Sequence, residues 1–199
     1  MNGDIYVTNS LSNNVSVISG STDTLVGTIE VGSAPSALAV DTANGDVYVA
    51  NTDSNNVSVV SGASNALVAT IPVGDGPAFL LQGIAVDTAT DTIYVANFGS
   101  STVTAISAAT NAVVGTIPVG NEPAAVAVDS MSGDVYVADY GSSDVSVING
   151  TTNGIVAVIP VYAAPRDLAV DGFNGCVYVA DTGGEIDPGT SVEAISGVN

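Results

Sequence analysis

The sequence predicts an all-β fold built from repeated units of four antiparallel strands. The first observation is a repeat, because tyrosines recur at spacings of 42, 46, 42 and 42 residues. The second is that each repeat contains four short runs rich in Val, Ile and Tyr, separated by Gly, Asn, Asp and Ser, which is strand and turn chemistry. The third is that several runs are apolar on both faces, which is typical of sheets stacked face to face. About 4.5 repeats of roughly 42 residues therefore predict a β-propeller of four-stranded antiparallel blades. The repeating tyrosines are Tyr6, Tyr48, Tyr94, Tyr136 and Tyr178.

The four strands of a repeat are labelled A, the innermost, to D, and each has a recognisable sequence. Strand A follows a proline and ends in aspartate, as from Pro35 to Asp41. Strand B contains the tyrosine, as in DVYVAN, strand C reads NVSVIS, and strand D reads LVGTIEV. By this count the chain has four A, five B, five C and four D strands, beginning with B and ending with C.

The repeats predict a single domain over residues 1–199, and we expect it to form a five-bladed ring. At this strand count two of the blades have only three strands. Two alternatives stay open: copies of the chain complete each other through unpaired strand edges, or the sequence is part of a larger propeller. The repeat units are 3–44, 45–90, 91–132, 133–174 and a partial unit, 175–199.

The repeated text resembles a known family. The motif Y-V-[AT]-[ND], with V-S-V-I and T-I-P-V-G at this period, is similar to the YVTN family of β-propeller repeats over nearly the whole chain. The resemblance implies a propeller like those of archaeal surface-layer and other secreted proteins, and hence an extracellular or cell-surface location. Members often close with seven blades, which needs roughly 290 residues at this period. It implies no particular activity, since propellers serve many functions.

The charge balance excludes two classes of partner. Twenty carboxylates face a single cation, Arg166, so the formal net charge is −19. Such a surface repels nucleic acid and anionic membranes, because phosphate binding needs a basic patch. No apolar run reaches the roughly 18 residues that cross a bilayer, and the single Cys176 excludes an internal disulfide framework. We therefore expect no nucleic-acid partner and no membrane insertion.

Missing residue types exclude most enzymatic chemistry. The chain has no His and no Trp, and its one basic residue is an arginine. A Ser-His-Asp or Cys-His site cannot be built, nor can an imidazole or thiolate metal site, so we expect no cofactor and no metal. A glycosidase needs only two carboxylates and stays open as an alternative, with Asp167, Glu185 and Asp187 as candidates. Of these only Asp167 breaks the strand A pattern. Its counterparts are Ala37, Gly83 and Ala125.

Two columns of acidic or amide residues recur in every repeat. Segments such as DTANGD faintly resemble a calcium loop, but aspartate is also favoured in turns because it accepts backbone hydrogen bonds there. We interpret both columns as structural turn residues. The first column is Asp41, Asp87, Asp129 and Asp171, and the second is Asn9, Asn51, Asn97, Asp139 and Asp181.

Function on a repeat scaffold is expected where the repeat is broken. The D-to-A connection after Pro77 and the B-to-C connection after Asp181 carry insertions, and both connections emerge at the same end of the blades. Exceptional aromatic and charged residues map to this end, which favours recognition of a sugar or a protein. The alternative is ordinary loop variation with Arg166 paired to a nearby aspartate. The candidate ligand-binding residues are Phe79, Gln82, Phe98, Tyr140, Tyr162, Arg166, Asp167, Glu185 and Asp187.

These observations together predict a non-enzymatic extracellular or cell-surface propeller that serves as a structural, assembly or adhesion module. A carbohydrate- or protein-binding, lectin-like propeller is the alternative, and a carboxylate-dependent glycosidase is the enzymatic one. The expected partners are the chain itself, other surface proteins or glycans, with homo-oligomers or filaments formed through unpaired blade edges. Sequons for N-linked glycans occur at Asn14, Asn56 and Asn149.

Overall fold

The computed structural model describes residues 3–76, 83–182 and 191–196. The described residues form eighteen strands in five antiparallel sheets and one short 3-10 turn, Phe98–Ser100, which confirms the predicted all-β propeller class. None of their helical segments is long and apolar enough to cross a membrane. The five sheets, called blades 1 to 5, follow one another in chain order.

The strands keep the predicted order A-B-C-D within each blade. Blade 1 contains β1 (Ile5–Asn9), β2 (Asn14–Ser19) and β3 (Thr24–Glu30). Blade 2 contains β4 (Pro35–Val40), β5 (Asp46–Asn51), β6 (Asn56–Ser61) and β7 (Ala66–Pro72). Blade 3 contains β8 (Ile84–Asp87), β9 (Thr92–Asn97), β10 (Thr102–Ser107) and β11 (Ala112–Pro118). Blade 4 contains β12 (Pro123–Asp129), β13 (Asp134–Asp139), β14 (Asp144–Asn149) and β15 (Gly154–Pro160). Blade 5 contains β16 (Pro165–Asp171), β17 (Cys176–Asp181) and β18 (Ser191–Ser196).

The strand count of four A, five B, five C and four D strands is thereby confirmed for the described residues. Strand A of each predicted repeat unit joins the sheet of the following unit, so the sheets are offset from the units by one strand. Among the described residues blade 1 therefore has no strand A, and blade 5 has no strand D.

The core lies between the blades, in four clusters of the same composition. At each junction the tyrosine of strand B and the apolar residues of strands C and D in one blade pack against strands A, B and C of the next blade. Between blades 4 and 5, for example, Tyr136 and Val145 pack with Leu168, Val177 and Val179. Each buried tyrosine removes a large apolar area from water, so packing at these junctions stabilises the fold.

The two end blades are covered on one face only. In the middle blades strand B is buried on both faces, as β9 is from Thr92 to Asn97. In β1 the side chains of Ile5 and Val7 are exposed, and in β17 the side chain of Tyr178 is exposed. The described residues thus form an open series of five blades, in which blades 1 and 5 do not close the predicted ring against each other.

Candidate functional site at the channel mouth

The inner strands of blades 2 to 5 converge on a cavity of about 310 Å³. Most of its lining is small and apolar, because four strands approach one another here and leave little room for side chains. Arg166 and Asp167 of β16 are the charged members of the described lining. The other lining residues are Ala37, Gly83, Ile84, Ala124, Ala125 and Val126.

Gly83 marks the closest approach between two inner strands. A Cβ atom placed on it would lie 2.6 Å from the Cα of Ala125 and 2.6 Å from the backbone nitrogen of Val126. Glycine is required here for space, since both neighbouring atoms belong to the backbone and cannot rotate away. Asp167 occupies the same position in blade 5, where it pairs with Ala180 of strand B. The exception that the sequence singles out therefore does lie on the cavity wall.

Strand A begins with a β-bulge in blades 2, 4 and 5. The bulge positions the residue that precedes Ala37, Ala125 and Asp167 in these blades. The register shifts between Pro165 and Asp167 in blade 5, so Arg166 is the extra residue of the bulge. The same shift occurs between Pro123 and Ala125 in blade 4. Bulges change the direction of a side chain at a strand end, and here the bulge presents the arginine at the rim of the cavity.

Three predicted site residues from three consecutive blades form a row at this rim. The Phe98 and Tyr140 rings lie 6.2 Å apart between centroids with an angle of 32° between their planes. The guanidinium carbon of Arg166 lies 5.2 Å from the centroid of the Tyr140 ring, within cation–π distance. The backbone N–H of Tyr140 donates to the carbonyl of Glu122 at 3.1 Å, which fixes the middle member of the row.

Arg166 is exposed, and its recorded contact among the described residues is the one with the Tyr140 ring. No ion pair between Arg166 and a carboxylate occurs within residues 3–76, 83–182 and 191–196, so the alternative of an Arg166–aspartate pair is not found there. The neighbouring Asp167 uses its Oδ1 atom to accept a hydrogen bond from the N–H of Leu168 at 2.9 Å. The rim therefore offers one planar cation, two aromatic rings and one exposed carboxylate.

The backbone of Tyr162 contacts strand C of blade 5. Gly120 is the equivalent residue after blade 3, and its backbone N–H donates to the hydroxyl of Ser146 in strand C of blade 4 at 3.3 Å. The N–H of Tyr162 keeps this bond by donating to the Oε1 atom of Glu193 at 3.0 Å, while its side chain is exposed. Four other predicted site residues lie outside the described part of the chain: Phe79, Gln82, Glu185 and Asp187.

The first aspartate column has the predicted turn role. Asp41 accepts a hydrogen bond from the N–H of Ala43 at 2.8 Å, and Asp129 accepts one from the N–H of Met131 at 2.9 Å. This Asx turn, in which an aspartate accepts from the backbone two residues on, recurs at Asp87 and Asp171. Groups of three or more metal-ligating side chains are absent from the described residues.

The second column does not have the turn role that the sequence analysis assigns to it. These residues are the last of strand B, and they bridge to strand C instead. The Nδ2 group of Asn51 donates to the Ser58 hydroxyl at 2.9 Å and to the Oδ1 atom of Asn56 at 2.8 Å, away from solvent. The strand does not end before this position because its backbone still pairs with strand C, as Asn51 does with Asn56.

In blade 4 the same position holds a carboxylate. The pKa of Asp139 is raised from 3.8 to about 7, chiefly by burial; the hydrogen bond from Ser146 lowers it and the nearby Asp144 carboxylate raises it within that total. The Ser146 hydroxyl donates to the Oδ2 atom of Asp139 at 2.6 Å. Asp139 thus replaces an amide donor by a group that is costly to ionise in this place.

The three sequon asparagines are half-buried and hydrogen-bonded at strand ends. The Oδ1 atom of Asn14 accepts from the Nδ2 group of Asn9 at 2.9 Å, and that of Asn56 accepts from Asn51. The Oδ1 atom of Asn149 accepts from the N–H of Thr152 at 3.0 Å. Glycosylation at these positions stays a prediction.

Comparison with known proteins shows the fold. No protein-family model and no curated protein matches the sequence. Among solved structures, the chain is similar to Kuenenia stuttgartiensis hydrazine synthase at 22% identity and a TM-score of 0.80. It is also similar to a functionally unknown protein from Desulfotomaculum acetoxidans at 16% identity and a TM-score of 0.75. Each alignment covers 89% of this chain, and 52% and 59% of the other chains respectively, so the chain spans just over half of either neighbour.

Proposed function

We propose that the chain is a non-enzymatic, extracellular adhesion module that binds carboxylate-bearing glycans at the channel mouth. The row formed by Phe98, Tyr140 and Arg166 carries this proposal. Guanidinium groups bind carboxylates through two parallel hydrogen bonds, and aromatic rings offer flat apolar surfaces to sugar rings. Arg166 is the only basic side chain in a chain of net charge −19, so it is the one side chain with which a ligand carboxylate can form an ion pair against the repulsion of the other carboxylates.

The proposal includes the extracellular location and the relationship to YVTN propellers. The repeat text around Tyr48 and its equivalents resembles YVTN propellers of archaeal surface layers and secreted proteins, and the scarcity of basic residues fits an exposure to the outside of the cell. Adhesion to glycans is the role that joins this location with the Arg166 row. The glycosidase alternative has one candidate on the described cavity wall, Asp167, whereas glycoside hydrolysis needs a pair of carboxylates.

Isothermal titration calorimetry tests the proposal. The chain is titrated with a short oligouronate and, separately, with a neutral oligosaccharide of equal length. We expect saturable binding of the oligouronate, and a loss of at least about tenfold in affinity for Arg166→Gln, because a charge-assisted bidentate pair contributes roughly 1.5–3 kcal/mol. Phe173→Ala removes an exposed aromatic ring beyond the end of β16 opposite to Arg166; it is the control and should bind like the parent.

Two results contradict the proposal. Equal affinity of the parent and Arg166→Gln for the oligouronate shows that the row is not the binding site. Release of new reducing ends during incubation, abolished by Asp167→Asn, shows that the chain is a glycosidase.

A further inference from the structure

The exposed faces of the end blades correspond to the two sides of the junction that occurs four times inside the chain. One side, the tyrosine face, comes from strands B, C and D of a blade; in blade 5, which has no strand D among the described residues, it consists of Tyr178, Ala180, Val192 and Ala194. The other side, the valine face, comes from strands A, B and C of the next blade; in blade 1, which has no strand A among the described residues, it consists of Ile5, Val7 and Ile18. Strand pairing fixes both definitions, because Tyr178 pairs with Ala194 and Ile5 pairs with Ile18.

Burial shows how far these two faces depart from the interior junctions. The tyrosine equivalent to Tyr178 is fully buried in blades 2, 3 and 4, whereas Tyr178 is 41% exposed and Val192 is 68% exposed. Ile5 and Val7 are 50% and 41% exposed, whereas their equivalents Val177 and Val179 in blade 5 are fully buried. Each face is thus an apolar surface that the same sequence buries wherever a neighbouring blade is present. Its exposure to water costs free energy in proportion to the apolar area.

A hydrogen bond from the strand B tyrosine to the next blade occurs at the first and third junctions, whereas at the second the buried Tyr48 hydroxyl and the Asn111 Oδ1 atom have no hydrogen-bond partner. The hydroxyl of Tyr6 donates to the Oδ1 atom of Asn65 in the next blade at 2.7 Å. The hydroxyl of Tyr94 donates to the Oδ1 atom of Asn153 at 3.1 Å. Each acceptor lies in the C-to-D turn with a positive φ, at 52° for Asn65 and 56° for Asn153.

The equivalent turn residue of blade 1 is Asp23. It has a φ of 54°, its N–H donates to Ser19 as that of Asn65 does to Ser61, and its side chain is exposed. No hydrogen bond to the Asp23 carboxylate is recorded among the described residues. A carboxylate accepts this bond as well as an amide oxygen does.

We propose that the tyrosine face of blade 5 docks on the valine face of blade 1 in a second copy of the chain, with the Tyr178 hydroxyl bonded to Asp23 of that copy. The occupant is a second copy because the contact continues the established blade junction and uses residues that only this repeat places together. The two faces differ, so the contact is head-to-tail, and repeated contacts of this kind give a ring or an open filament. Association through blade faces replaces the strand-edge pairing expected from the sequence.

Light scattering of the 199-residue chain across a concentration series tests the proposal. We expect the mass of the parent to rise with concentration beyond that of a monomer. Val7→Asp and Tyr178→Asp each remove one face by burying a charge in the contact, so each variant alone is expected to stay monomeric. Val114→Asp is the control, since Val114 is a similarly exposed valine on a strand D and should leave association unchanged. Far-ultraviolet circular dichroism confirms that all variants are folded.

Mixing the two face variants separates this geometry from any symmetric contact. Val7→Asp keeps its tyrosine face and Tyr178→Asp keeps its valine face, so an equimolar mixture is expected to form a heterodimer and nothing larger. Tyr178→Phe and Asp23→Ala should each weaken the association of the parent about fivefold, by the loss of one hydrogen bond, and the double variant should lose no more.

A parent chain that stays monomeric at every concentration overturns the proposal, as does a mixture of the two face variants that gives no heterodimer. Association of Val7→Asp or Tyr178→Asp equal to that of the parent also overturns it. The glycan proposal is independent of these outcomes, because Arg166 belongs to neither face.

Discussion

Asp139 is a carboxylate at a position that asparagine fills in blades 2 and 3. The asparagines at this position donate hydrogen bonds to strand C, as Asn97 does to Thr104 at 2.8 Å. An ionised Asp139 has no donor, is fully buried, and lies beside the Asp144 carboxylate. Its pKa of about 7 in the folded chain, against 3.8 as its ordinary value, means that the folded state binds the proton more tightly. Between these two values the free energy of unfolding therefore falls as the pH rises.

We accordingly expect Asp139→Asn to stabilise the chain at pH 8 by roughly 2 kcal/mol, because it restores the donor and removes a buried charge. The gain should shrink as the pH falls from about 7 towards about 4, where Asp139 of the parent is protonated. Urea unfolding at a series of pH values measures it. The control is Asp53→Asn, which makes the same change of charge in an exposed turn and should give a small, constant effect. A gain at pH 8 equal to that of the control contradicts the argument.

Asp181 shows that the same substitution recurs in blade 5. Burial raises its pKa above the ordinary value, and the neighbouring Glu193 carboxylate adds to this effect. Glu193 stands where the other blades have serine or threonine, and it also accepts the hydrogen bond from the Tyr162 N–H. The exceptional residues Tyr162 and Glu193 are thus in direct contact, although they are 31 residues apart in the sequence. A comparison of the repeats position by position does not show this contact.

At the scale of the strand, the sequence predicts order and register well, because tyrosine, valine and turn residues recur at fixed positions. The columns of strand A are an example, since Ala125 and Asp167 do occupy equivalent places opposite Ala138 and Ala180. The column of Arg166 likewise places it beside the channel mouth, where it lines the cavity. The contact of its guanidinium with the Tyr140 ring could not be predicted in this way. That contact depends on a β-bulge and on the approach of neighbouring blades, and neither leaves a periodic signal in the sequence.

The close approach of the inner strands at Gly83 leads to a prediction at the scale of the strand. Gly83→Ala places a Cβ atom 2.6 Å from backbone atoms of β12, so β8 or β12 must shift. We expect a loss of about 1–3 kcal/mol in the free energy of unfolding, the usual cost of overpacking. Gly27→Ala is the control, because a Cβ atom there meets no neighbouring atom within 4 Å and a strand generally gains from alanine. Chemical denaturation of both variants measures the difference, and equal stability of the two would refute close approach at Gly83.

At the scale of the whole molecule the sequence predicts the fold class, but the closure of the ring is a separate matter. The same repeat text produces a fully buried Tyr136 and an exposed Tyr178. Tyr136 is covered by residues of blade 5, whereas no described blade packs against Tyr178, so the difference arises from long-range packing and not from the residues next to each tyrosine in the chain. Exposure of the end faces is therefore the feature that local patterns are least able to predict.

The uniform charge of the chain should dominate its response to salt. Twenty carboxylates and one cation give a net charge of −19, so the folded state is destabilised by repulsion among its own side chains. Salt screens this repulsion, since the Debye length falls from roughly 20 Å at about 20 mM to roughly 3 Å at about 1 M. We expect the melting temperature to rise by several degrees over this range, to the same extent in NaCl and KCl.

Sub-millimolar calcium chloride, added at constant ionic strength, is the control for the DTANGD turns. Because Asp41 already accepts a backbone N–H in its turn, calcium should change the melting temperature little. A large rise of the melting temperature with micromolar calcium would instead assign these turns to metal binding, and a melting temperature independent of NaCl would show that repulsion between the carboxylates is not a significant cost.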